Sequence, residues 1–66
     1  MIDIKIVFTR VIVKEGFVDA GKEGVAIGGP INVNGLNWQA VLWNGEEDPN
    51  FFKAYGLLYF ESFYND

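Results

Sequence analysis

The sequence contains no cysteine and no histidine. Without cysteine there is no disulfide framework, and without a Cys/His set there is no structural zinc site, so two common staples of very small domains are excluded. The same absence removes the most reactive nucleophile and the most usual general base. Asp, Glu, Lys, Tyr, Thr9 and Ser62 are the only catalytic material left, with no nucleophile beside an evident base. A carboxylate pair for glycoside hydrolysis needs a cleft, and 66 residues offer little depth for one. A non-catalytic protein with no cofactor is expected.

Long apolar runs are missing too. The opening MIDIKIVFTRVIVKEG is apolar but alternates, and Asp3, Lys5 and Arg10 interrupt it, so neither a signal peptide nor a membrane segment is expected. A cysteine-free chain fits a reducing, cytoplasmic setting. Positive charge is scarce: five basic residues stand against nine acidic ones, a net charge of −4. That sign is wrong for tracking phosphates, and nucleic-acid binding is disfavoured.

Apolar and aromatic residues are plentiful. Half of the residues are hydrophobic and 17% are aromatic, yet a chain this short buries only about 60% of the surface it exposes when unfolded. One small core in a single domain, residues 1–66, cannot hide all of that surface. Some of it is expected to face a protein partner or a second copy, because oligomerisation is the staple that remains.

Along the chain, Ile2, Ile4, Ile6 and Phe8 alternate with Asp3, Lys5, Val7 and Thr9, which predicts a first strand over residues 2–8. Continuing that phase would bury Arg10, whereas Val11 and Val13 suit a core better, so a bulge or bend is expected near Thr9 and Arg10. KEGFVDAGKEG, residues 14–24, reads as a long loop anchored by Phe17 and Val18, and VAI at 25–27 as a short strand ending at Gly28, Gly29 and Pro30. Asn34-Gly35 predicts a type I′ hairpin that pairs Val33 with Leu36, Asn32 with Asn37 and Ile31 with Trp38. Ile31, Val33, Leu36, Trp38, Ala40 and Leu42 then share one face, which is the apolar one near the tip. Asn32, Asn37, Gln39, Val41 and Trp43 share the other; near the base both faces are apolar. Asp48, Pro49 and a left-handed Gly56 suggest that DPNFFKAYG forms one or two turns of helix or 3₁₀. LLYFESF, residues 57–63, is a last strand with apolar residues on both faces.

The order of these elements, in VIVKEGFVDAGKEGVAI followed by the tight hairpin, a helical turn and a last strand, resembles an SH3-like barrel of the KOW type over residues 10–61. The resemblance implies an all-β barrel of five or six short antiparallel strands with one helical turn before the last. It implies a binding or assembly module, since this fold carries many different surfaces. The tyrosine-rich loop motif of peptide-gripping SH3 domains is absent from KEGFVDAGKEG. The basic loop of RNA-binding KOW barrels is matched here by Lys14 and Lys22 set against Glu15, Asp19 and Glu23.

The candidate sites follow. Glu46, Glu47 and Asp48 form an acidic loop, but consecutive carboxylates diverge and the spacing of a calcium loop is missing, so a solvated turn is expected and no metal. GKEG at 21–24 lacks the length and the Lys-Ser/Thr ending of a phosphate loop. Among the aromatics, Phe8, Phe17, Trp38, Phe52 and Phe60 are assigned to the core. Trp43, Phe51, Tyr55, Tyr59, Phe63 and Tyr64 are assigned to an interaction face, because Tyr and Trp rimmed by polar residues match protein–protein hot spots. The leading expectation is a non-catalytic assembly module, self-associating or an accessory subunit of a larger complex. The alternatives are an acidic decoy that docks a basic site through Glu46, Glu47 and Asp48, and a KOW-like nucleic-acid binder using Arg10, Lys14 and Lys22.

Overall fold

The computed structural model describes residues 5–64. Its elements are β1 (Val7–Val13), β2 (Glu23–Ile27), β3 (Ile31–Val33), β4 (Leu36–Trp43), β5 (Asn50–Lys53), a 3₁₀ turn (Ala54–Gly56) and β6 (Leu57–Tyr64). All strand pairings are antiparallel, in one six-stranded sheet of order β3-β4-β2-β1-β6, with β5 paired to β4. The protein is therefore all-β, with one helical turn among the described residues, before β6. Among the described residues no helix is long and apolar enough to cross a membrane.

The central hairpin forms in the expected register, Val33 opposite Leu36, Asn32 opposite Asn37 and Ile31 opposite Trp38. Asn34 and Gly35 take φ of 52° and 83°, the two left-handed residues that a type I′ turn requires. Asn32 reinforces it, its Nδ2 donating to Asn37 Oδ1 at 3.0 Å and its Oδ1 accepting from the Gly35 N–H at 3.2 Å. On the other side of the Gly28-Gly29-Pro30 breaker, β2 pairs with the far half of β4, placing Ala26 opposite Val41 and Gly24 opposite Trp43. Gly24 is required there: a Cβ would stand 2.7 Å from the Leu42 carbonyl oxygen.

Of the strand expected over residues 2–8, residues 2–4 lie outside the described residues, Lys5 and Ile6 precede β1, and Val7 and Phe8 belong to it. Thr9, Val11 and Val13 point inward, so Phe8 and Ile12 occupy the opposite face. Of the one or two turns of helix or 3₁₀ expected over DPNFFKAYG, one 3₁₀ turn forms at its end and a strand precedes it. Asn50 to Lys53 pair with β4 as β5, only Ala54–Gly56 is 3₁₀, and no side chain caps it. Phe51 and Phe52 explain the change, since aromatic residues favour a pleated surface and alternation sends Phe52 toward the core and Phe51 away from it. Gly56 is not left-handed; a Cβ there would meet Phe52 Cε2 at 2.9 Å and Phe17 Cε1 at 3.0 Å, so the residue is small because two rings close over it.

Val11, Val13, Ala26, Val41, Trp43 and Leu57 form the core, with Phe17 and Phe52 packed against it. Trp43 meets Phe52 edge to face at 5.5 Å. Of the two loop anchors, Phe17 takes its place there while Val18 is exposed. On β4 the buried residues are Gln39, Val41 and Trp43, so the face carrying Trp38, Ala40 and Leu42 is the outer one, opposite to the tip-based expectation.

Candidate interaction surface

The bulge expected near Thr9 and Arg10 is present, and its extra residue lies on β6. Thr9 faces Ser62 and Val11 faces Tyr59, which leaves Phe60 and Glu61 both opposite Arg10. Arg10 engages the two together: Nη1 lies 2.8 Å from Glu61 Oε1, and the guanidinium sits 5.9 Å from the centre of the Phe60 ring. On the neighbouring strand Glu23 Oε1 lies 4.0 Å from Arg10 Nη2.

Because the bulge shifts the alternation by one, it sorts the side chains of β6. On the inner side, Leu57 joins the core and Ser62 hydrogen-bonds Thr9, Oγ to Oγ1, at 2.8 Å. Tyr59 donates its hydroxyl to Gln39 Oε1 at 2.9 Å, and its partial burial raises the phenol above its ordinary pKa. Gln39 is 0% exposed and its Nε2 donates to the carbonyls of Gly28 and Ala40, both at 3.1 Å, and of Ile27 at 3.3 Å. Its amide is thereby fully used, as a buried polar group must be.

The outer side is different. Leu58 opposes Ile12 and Phe63 opposes Phe8, with the two phenylalanine rings stacked at 5.8 Å. Across the sheet the row continues from Phe8 to Ile27 and from Arg10 through Val25 to Leu42. The outer face of β6, β1 and β2 is thus apolar except for Arg10, Glu23 and Glu61, which neutralise one another in part. An antiparallel sheet with one wet face ordinarily alternates apolar-in and polar-out; this one is apolar on both sides. Every residue of β6 after Leu57 is exposed.

The expected interaction residues therefore divide. Phe63 lies on the outer face and Tyr64 at the exposed end of β6. Tyr59 is partly exposed but directed to Gln39. Phe51 and Tyr55 line a separate groove of about 320 Å³, with Phe17, Trp38 and Phe52 as further walls and Asp19 and Lys53 at its margin. Trp43 is not an interface residue: at 5% exposure it is core, because inward parity on β4 and the cover of Phe52 enclose it, while Lys22 Nζ lies 5.0 Å from its ring centre. Phe60 is not core: it is 46% exposed, since alternation from the inward Leu57 and Tyr59 turns it outward, opposite Arg10. Leu58 and Phe8 belong to the outer face and are not among the expected interface residues, Phe8 being assigned to the core; Arg10, expected only in a basic stripe, lies there as well. Their signal was the conflict between the Ile6/Phe8 and Val11/Val13 phases, which means two apolar faces on one strand.

The acidic loop makes a solvated turn in which the Glu46 N–H donates to the Trp43 carbonyl at 3.0 Å. The Glu46 carboxylate is taken by Lys22 Nζ at 3.2 Å and by Asn50 Nδ2 at 3.4 Å, while Glu47 and Asp48 are exposed. No family model, curated protein or solved structure matches the chain.

Proposed function

We propose that the protein is a small non-catalytic interaction module of SH3-like plan that assembles, with itself or within a larger complex, through the outer face of its sheet. One observation carries the reading: the face built on Leu58, Phe60, Phe63, Phe8 and Ile12 is apolar and open. Layered folds bury such a face against another layer, and among the described residues no second layer covers it. The SH3-like plan is supported by the long loop after β1, the hairpin between β3 and β4, and the 3₁₀ turn before β6. A cytoplasmic setting agrees with the cysteine-free composition. The nucleic-acid reading loses support because Arg10 and Lys22 already face Glu61 and Glu46.

The test compares the wild type with a Phe60→Glu/Phe63→Glu variant by light scattering behind size-exclusion chromatography, with anilinonaphthalene sulfonate fluorescence alongside. Supporting results are a wild type heavier than one chain, or a monomer that binds the dye, with either property lost in the variant while its near-ultraviolet circular dichroism persists. A wild-type monomer that takes up no dye overturns the reading.

A further inference from the structure

We infer that the partner of the outer face is a second copy of this chain, docked about a two-fold axis between Arg10 and Glu61 so that each Arg10 meets the Glu61 carboxylate of the other protomer. The inference rests on the reading that this face is an interaction surface, and it adds the identity of the occupant and the contact that selects it.

Charge is the first argument. A guanidinium offers five N–H donors, but Arg10 makes one hydrogen bond, to Glu61 at 2.8 Å, while Glu23 at 4.0 Å is outside hydrogen-bond range. Both carboxylates and the guanidinium are at least half exposed, at 54%, 66% and 50%. A fitting partner is therefore apolar, carries a carboxylate opposite Arg10 and carries a cation opposite the glutamates. This face meets that description itself, which is the condition for an isologous two-fold contact. The facing sheets would lie about 10 Å apart, a gap that an arginine side chain spans.

Area is the second. About half of each of Leu58, Phe60 and Phe63 is exposed. With their half-covered neighbours Phe8, Ile12, Val25 and Ile27 and the charged cluster they form one continuous patch across three strands, the kind of surface that a standard interface, about 800 Å² from each partner, is built on. Size is the third: for 66 residues with no cysteine, burying this face against a copy adds apolar burial to a core of only a few side chains.

The experiment is charge reversal and mixing, read by light scattering at low micromolar and at high concentration. The wild type is expected at twice the chain mass. Arg10→Glu alone and Glu23→Arg/Glu61→Arg alone are each expected to dissociate at least tenfold more readily, and an equimolar mixture of the two to return to twice the chain mass. Circular dichroism identifies any variant that fails to fold, and Arg10→Gln, which removes the charge without reversing it, is then the substitute, expected to dissociate more readily than the wild type. A wild-type monomer that binds the dye overturns the second-copy inference and leaves the interaction reading standing; a monomer without dye binding overturns both. A dimer indifferent to these substitutions, or variants that do not complement on mixing, overturns the Arg10 contact.

Discussion

The Tyr59 hydroxyl on β6 donates to Gln39 Oε1 on β4 at 2.9 Å, although β1 and β2 stand between those strands in the sheet. In a flat sheet three strand spacings would separate the two backbones by about 14 Å, so the bond exists only because the sheet curls. Gln39 also holds the Gly28 carbonyl at 3.1 Å, at the breaker between β2 and β3. One buried amide thus ties the kink of one strand to the last strand of the fold.

Tyr59→Phe removes the donor and leaves the buried Gln39 oxygen unsatisfied. The expected loss is about 1–2 kcal/mol, read as a fall in Tm of roughly 4–8 °C per kcal/mol in a domain of this size. An unchanged melting curve would show that water replaces the phenol.

The same residue sets a pH dependence. Burial raises the Tyr59 phenol in the folded chain, so above its ordinary value of about 10 the unfolded chain releases that proton first. Its contribution to stability is complete below about pH 10 and is lost as pH rises through the folded value. Denaturant unfolding at pH 9 to 11 should show stability falling faster in the wild type than in Tyr59→Phe. Parallel profiles would remove Tyr59 from the effect.

Trp43 and Phe63 should separate cleanly. Trp43→Ala empties a core site at a cost of about 3–5 kcal/mol, comparable with the entire stability of so small a domain, and the variant is expected to lose its near-ultraviolet signal. Phe63→Ala, on the outer face, should stay folded and lose dye binding or assembly. Equal effects of the two on folding would contradict the division between core and surface.

Gly24 and Gly56 are both small for contact reasons, but their neighbours differ. At Gly24 a Cβ would meet the Leu42 carbonyl oxygen, which belongs to the paired backbone; at Gly56 it would meet two phenylalanine rings. Both alanine variants are expected to lose about 1–3 kcal/mol from overpacking, with Gly24→Ala the worse. Adding Phe17→Leu should offset part of the loss at Gly56 and none at Gly24, a difference that a double-mutant cycle in urea measures.

The hairpin was legible in the chain because Asn34-Gly35 prescribes a local geometry, and a two-residue turn then sets the pairing of Ile31 with Trp38 by counting. The strand over residues 57–63 and the breaker at Gly28 to Pro30 were legible for the same local reasons; the bulge was not, because β1 alternates without a break from Val7 to Val13 and the extra residue belongs to β6. Which face is the inside was not local. Near its base β4 is apolar on both sides, and the inward side, with Gln39, Val41 and Trp43, is chosen by the curl of the sheet and by the carbonyl acceptors it brings to Gln39. Aromatic residues past Pro49 became strand rather than helix because β4 offered an edge to pair with. The bulge, placed on β6 rather than β1, kept Glu61 on the outer face beside Phe60, against Arg10, and returned Ser62 to the inner side. Turn chemistry and alternation act within a few residues, so the sequence alone determines them. Choosing between two apolar faces depends on contacts far apart in the chain, and only the folded sheet decides that.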